Sequence, residues 1–227
     1  MENIKAISFD LDDSLWAIAP VIIRAEKVMH EHMRQHFPAV TDRFDADGVR
    51  EMRARVNERY AHLAHDLTAL RQMSIEMMLE ECGYDRNHSE PLMEMFLDLR
   101  HDVEFYPDAL PALEKLAKKY RLYAISNGNA NVSRLGLEHL FEGQISARSE
   151  GYGKPDVRIF HTACSNLKLS HTEVLHVGDH PLDDVSGALN AGLKTVWLNR
   201  VEADWPHNFK PHFACEDLHQ LVDFLGA

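Results

Sequence analysis

Two aspartates one residue apart, Asp10 and Asp12, close an apolar, β-prone run that begins at Ala6. A strand rises about 3.3 Å per residue with alternating side chains, so carboxylates at this spacing leave a strand end on one side, roughly 6–7 Å apart. A tetrahedral phosphoryl group fits that gap. One carboxylate can attack phosphorus while the other serves the leaving oxygen as general acid and then water as general base. The two carboxylates repel each other and a phosphate dianion. A hard cation such as magnesium, which takes carboxylate, substrate and water oxygens in octahedral geometry, relieves that repulsion. Two other readings stay open on these residues alone, a solvated acidic turn after an edge strand and a calcium loop. The calcium loop fits less well, because Leu15 stands where the required Gly belongs and Val21 where the bidentate Glu belongs.

Further along, Ser126-Asn127-Gly128 offers a hydroxyl and approachable backbone N–H groups, which is equipment for holding equatorial phosphoryl oxygens. Any β-to-α turn has the same composition. Lys154, between Gly153 and Pro155, is a cation at a helix start whose charge can offset nucleophile and phosphate together. Most lysines are solvated surface residues, and that reading also stands here.

The elements that must position these groups follow from apolar periodicity. After Ser14, helical spacing runs through Ile22, Ala25, Met29 and Met33 between Pro20 and Pro38, then through Val49, Met52, Val56 and Tyr60. It continues through Ile75, Met78 and Leu79 to Gly83, and through Leu92, Met95 and Phe96 behind Ser89. These stripes predict a four-helix unit over 15–102, inserted after the first strand. From about Val103, strands and helices alternate, which predicts a parallel sheet covered on both faces. Strands are expected over 122–125, around 144–146, and over 174–177 and 195–198. Asp108 is expected to cap one helix, and another should run from Asp183 to Ala191. A loop should cover 203–212 and a last helix should carry Leu218, Leu221 and Leu225. The fold class is α/β, with a core of residues 1–14 and 103–227.

Phe9-Asp10-Leu11-Asp12-Asp13-Ser14-Leu15-Trp16 resembles motif one of the haloacid dehalogenase superfamily. Ser126-Asn127-Gly128 resembles motif two, Gly153-Lys154-Pro155-Asp156 motif three, and Gly178-Asp179 with Asp183-Asp184 motif four. All four occur in order, with the helical insert where a type-one cap belongs. The resemblance implies a Rossmann-like sheet and a magnesium-dependent phosphomonoesterase working through an aspartyl-phosphate. In that scheme Asp10 is the nucleophile and Asp12 the acid and later base, while Ser126, Asn127, Gly128 and Lys154 hold phosphoryl oxygens. Asp10, Asp12 (through its backbone carbonyl) and Asp179 bind the metal. Asp184 stands behind them and orients Lys154 or a bound water, and Asp183 caps its helix. If Asp10 and Asp179 share one metal, their strands must be neighbours with the Ser126 strand on the other side of the first, giving the order 3-2-1-4-5.

Leu15-Trp16 and the Ser-Asn-Gly-Asn form of motif two resemble those of the bacterial flavin mononucleotide phosphatases, so flavin mononucleotide or a related phosphorylated flavin precursor is the leading substrate expectation. A phosphosugar phosphatase or mutase is the alternative within the same core. A haloacid dehalogenase fits less well, because the resemblance gives that activity no need for an acid at Asp12 or for a metal. A phospho-accepting receiver domain is about half this length and carries its phosphorylated Asp after the third strand.

With 227 residues, 45% hydrophobic and 26% charged, the composition is that of a globular protein. The net charge of −12 argues against nucleic acid or an anionic membrane as partner, so an anionic metabolite needs a local positive site. Cys82, Cys164 and Cys215 are odd in number and widely spaced without a metal-ligand pattern, which reads as buried or free thiols in a reducing compartment. No leader or long apolar span is apparent, and a cytoplasmic protein is expected.

Overall fold

The opening apolar run forms β1 (Ala6–Phe9), with all four residues buried. A computed structural model describes residues 3–205 and 207–227; Pro206, inside the stretch read as a loop, lies outside them. The chain separates into two compact units, Met1–Ile18 with Val103–Ala227, and Ala19–Asp102.

The helical unit contains α1 (Ile18–His36), α2 (Pro38–Arg43), α3 (Ala46–Arg59), α4 (Leu67–Glu81) and α5 (Ser89–Arg100). Five α-helices stand where periodicity predicts four. Pro38, read as a stop, also supplies the preset φ of a first helical turn and so opens α2. The buried stripe Ala25, Met29 and Met33 of α1 packs in one cluster with Met52, Met78 and Phe96.

The second unit continues with α6 (Ala109–Leu116), β2 (Arg121–Ser126), β3 (Phe141–Ser146), α7 (Ala147–Glu150), α8 (Val157–Leu167) and β4 (Val174–Gly178). It ends with α9 (Gly187–Asn190), β5 (Lys194–Leu198), β6 (Phe213–Cys215) and α10 (Leu218–Leu225). Among the described residues the sheet has the order β3-β2-β1-β4-β5-β6, every pair parallel. The expected 3-2-1-4-5 core is therefore extended by a sixth edge strand, too short at three residues to show a periodicity of its own. Both β1 and β4 are buried throughout, as parallel strands covered on two faces must be.

Two local expectations are corrected. Asp108 occupies the position before α6, yet its side chain makes no cap bond. It accepts instead from both terminal nitrogens of Arg200, each at 3.0 Å, and from the Leu218 N–H at 2.7 Å, tying α6 to the chain after β5 and to α10. The predicted 183–191 helix is a π-turn over Pro181–Ser186 followed by α9, and its cap is His180, whose Nδ1 accepts from the Asp183 N–H at 3.0 Å. Such turns recur at functional sites because they re-aim side chains.

Candidate active site

Parallel sheets place ligands beyond the carboxyl ends of their strands, where the order reverses. Here that point lies between β1 and its neighbours. The register pairs Phe9 with Val177 of β4 and with Ala124 of β2. The Asp10 N–H then donates to the Val177 carbonyl at 2.9 Å, which carries the β1–β4 pairing one residue beyond β1.

Around that point four charged side chains meet. Lys154 Nζ donates to Asp10 Oδ1 at 2.5 Å and to Asp184 Oδ1 at 2.6 Å. Ligand oxygens of Asp10, Asp179 and Asp184 lie within 4.8 Å of one another. The Lys154 and Asp184 side chains are each 2% exposed and that of Asp10 is 10% exposed, so the ammonium and its two partner carboxylates lie away from water, with Asp179 half-buried beside them. Burial works against the Lys154 charge, but Asp10 and Asp184 outweigh it and hold its pKa above the ordinary lysine value. Burial raises Asp10 well above the usual carboxylate range; Lys154 opposes this, while Asp184 and Asp179 add to it. Asp179 is pushed up to about 6, by burial first and then by Asp184. Asp184 goes the other way, since Lys154 and His176 overcome its burial and lower it. The cluster carries more negative charge than Lys154 can balance, and its all-oxygen donor set fits a hard divalent cation.

Asp184 is held on both oxygens. Oδ1 takes Lys154 and also His176 Nε2 at 3.1 Å, and Oδ2 takes the His180 N–H at 2.9 Å. The chain can turn back this closely only because position 178 is glycine, where a Cβ would lie 2.2 Å from Asp184 Cγ. Asp179 accepts from the Ser14 hydroxyl at 3.2 Å, and its carbonyl accepts from Trp197 Nε1 at 2.8 Å. Arg200 Nε in turn donates to the Ser14 carbonyl at 2.8 Å. Asp12 stands outside the three-carboxylate set. Its Oδ1 accepts from Trp16 Nε1 at 3.0 Å, and its Oδ2 lies 2.5 Å from where a Cβ at Gly128 would be, so a side chain at 128 would force this carboxylate to move.

The motif-two residues are partly engaged by the protein itself. Ser126 is buried and its Oγ accepts from the Gly128 N–H at 2.9 Å. Asn127 was expected at the substrate, but its side-chain amide clamps the Lys154 peptide, accepting from its N–H at 2.7 Å and donating to its carbonyl at 2.8 Å. Asp183 does not join the cluster.

Sequence reasoning passed over a buried relay beneath the site. Register places Ser8 opposite His176, and the Ser8 hydroxyl lies 2.9 Å from His176 Nδ1. Burial lowers the His176 pKa despite Asp184, so the imidazole is neutral. A carboxylate only accepts, so Nε2 carries the proton toward Asp184 and Nδ1 accepts from Ser8. The available signal was two polar residues interrupting otherwise apolar strands. His176→Phe is expected to lower the unfolding free energy by roughly 1–3 kcal/mol, because it strips partners from buried Ser8 and from Asp184. Urea denaturation reads this as a lower midpoint at unchanged slope, and an unchanged midpoint would show that the relay does not hold Asp184.

A family model for haloacid dehalogenase-like hydrolase matches residues 4–192. The chain belongs to this family of hydrolases. Among its relatives, the 5-amino-6-(5-phospho-D-ribitylamino)uracil phosphatase YigB of Escherichia coli is 30% identical over 98% of this chain and 97% of that protein. A glyceraldehyde 3-phosphate phosphatase of Methanopyrus kandleri is 30% identical over 87% of this chain and 84% of its own length. A crystal structure described as a 2-haloacid dehalogenase from Pseudomonas syringae superposes with a TM-score of 0.92 at 36% identity, covering 98% of each chain. No helix among the described residues of this hydrolase is long and apolar enough to cross a membrane.

Proposed function

We propose that this haloacid dehalogenase-like hydrolase is a magnesium-dependent phosphomonoesterase that passes the phosphoryl group of a small metabolite through Asp10. The observation that carries the reading is the buried meeting of Asp10, Lys154, Asp184 and Asp179 at the ends of β1 and β4. Asp10 attacks phosphorus, and Lys154 fixes its Oδ1. Asp12 protonates the leaving oxygen and then draws a proton from water; its position is set by Trp16 and by the missing Cβ of Gly128. Ser126 and backbone N–H groups face the phosphoryl oxygens. Asp10, Asp179 and the Asp12 carbonyl would hold magnesium, which would supply positive charge against the phosphoryl oxygens. Asp184, with both oxygens already bonded, keeps Lys154 in place. In the same proposal the helical unit is the cap that confers substrate selectivity.

The substrate we favour is flavin mononucleotide or a phosphorylated flavin precursor, a reading supported by the similarity to YigB. A screen of phosphorylated metabolites that includes the ribitylaminouracil phosphate, flavin mononucleotide, glyceraldehyde 3-phosphate and phosphosugars tests it. Preference for a phosphosugar by a wide margin in kcat/KM would overturn the flavin assignment and leave the phosphatase class standing. The likeness to a structure described as a dehalogenase makes 2-chloropropionate a necessary control. Halide leaves without a proton, which would leave Asp12 without a task, so no chloride release is expected.

Magnesium should raise the thermal midpoint, since a ligand binding only the folded state stabilises by RT ln(1 + [L]/Kd), roughly 1.4 kcal/mol at about tenfold excess over Kd. Asp179→Asn should lose much of that shift and Asp12→Asn should keep most of it, as followed by calorimetry with and without chelator. Equal shifts in the two variants would contradict this assignment of the ligands.

A further inference from the structure

Within the helical unit, residues of α1, α2, α3, α4 and α5 line a half-open cavity of about 610 Å³ that the proposed phosphatase chemistry leaves unused. Cavities of roughly 300–1,000 Å³ hold metabolite-sized molecules, typically with apolar walls and a few placed polar groups. The walls here include Met29, Met33 and Met78, with Val40, Ile75 and Phe96. Methionine side chains adapt to irregular shapes and make favourable sulfur contacts with aromatic rings.

One side of the cavity is charged. Arg53 donates to Glu26 Oε1 at 2.6 Å, and Arg71 reaches the same oxygen at 3.4 Å. Two guanidinium groups thus share one carboxylate oxygen. The Arg71 side chain is only 20% exposed and lies 3.8 Å over the Phe96 ring. Burial, and then Arg53, bring the Arg71 guanidinium down to about 10, with Glu26 only partly offsetting them. The other charged side chains on the lining are Asp45 and Arg50, of opposite sign. The Asp45 carboxylate accepts from the Gly48 N–H at the start of α3, and Arg50 is exposed and paired with Asp47. His30, also on the lining, is exposed. Over the whole lining three arginines face two carboxylates, and Arg71 retains donors suited to a further carboxylate.

We propose that this cavity binds a small aryl carboxylate, with the ring among the three methionines and the carboxylate on Arg71 and Arg53. The site lies wholly within residues 26–96 and shares no lining residue with the Asp10 cluster.

Eight of the nine methionines fall between Met29 and Met95, so a chain labelled with carbon-13 at the methionine methyls reports on this unit. Titrating the full-length protein with 2-naphthoate is expected to shift the Met29, Met33 and Met78 methyls while leaving Met52 and Met93 in place. The neutral 2-naphthylmethanol should bind about tenfold more weakly or worse, since it lacks the charge-assisted bonds. Arg71→Gln should lose a similar factor for the naphthoate and nothing for the alcohol. Four results would overturn the proposal: no methyl shift at millimolar naphthoate, shifts centred on other methionines, equal affinity for acid and alcohol, or undiminished naphthoate binding by Arg71→Gln. The comparison of acid with alcohol uses the unmodified protein and stands even if the variant misfolds.

Discussion

Asp10→Asn is expected to lower turnover of any phosphate ester by about 10⁵-fold or more, roughly 7 kcal/mol of transition-state stabilisation, as loss of a covalent nucleophile typically does. The same variant should fold at least as well as the parent. Asn keeps an oxygen for the Lys154 ammonium, which also retains Asp184 at 2.6 Å. It removes one of three clustered carboxylates, the one that burial raises well above the usual range, with Asp184 and Asp179 adding to the rise. Activity and stability should therefore move apart, a pattern expected where a site holds unfavourable charge for the sake of its chemistry. Steady-state kinetics alongside thermal unfolding in chelator measure both. Near-normal turnover would remove Asp10 as nucleophile, and a large drop in the midpoint would show that its charge supports the fold.

Lys154→Met is expected to be the most damaging single change to stability. It removes the only cation described within the cluster and leaves Asp10, Asp179 and Asp184 facing one another in a buried space. Breaking a buried ion pair from one side typically costs about 3–5 kcal/mol. The penalty should depend on pH. Asp179 has a raised folded-state pKa, about 6, so its favourable contribution is present below the ordinary carboxylate pKa and is lost as pH rises through about 6. Without Lys154 the opposing positive charge is gone, so Asp10 and Asp179 should hold protons to higher pH still. The variant should therefore approach parental stability near pH 4–5 and fall furthest behind above pH 7. Urea midpoints across that range, in chelator, measure it. A penalty that does not vary with pH would mean that lost packing of the lysine stem, and not uncompensated charge, is what the substitution exposes.

How much of this was legible in the sequence depended on whether a residue interrupts a pattern. Asp10, Lys154 and Asp179 each follow an apolar run or stand just before a helix, and sheet topology carries such positions to one edge, so their meeting could be anticipated from order alone. Ser8 and His176 also interrupt apolar strands, but one polar residue within a strand says nothing of its partner until the β1–β4 register sets the two side by side. Arg200 and Asp108 are 92 positions apart and belong to no local pattern, so their paired hydrogen bonds were invisible, and Asp108 looked like an ordinary cap. Asn127 was assigned by its place in a motif, and only the close approach of the Lys154 peptide shows what its amide holds. Pro38 illustrates a different ambiguity, since the residue that ends one helix is equally suited to begin the next.

The most direct test of the central claim is chemical capture of the phosphoryl group. The Asp12→Asn variant should be mixed with para-nitrophenyl phosphate and magnesium, quenched in acid within the first turnover and digested, and the peptide containing Asp10 weighed by mass spectrometry. The activated ester needs little help from an acid, whereas attack by water has lost its base, so the intermediate should accumulate. The account predicts one phosphoryl group, located on Asp10 and absent from the Asp10→Asn protein. Release of nitrophenol with Asp10 unmodified at every time point, or a phosphoryl group on another side chain, would contradict it.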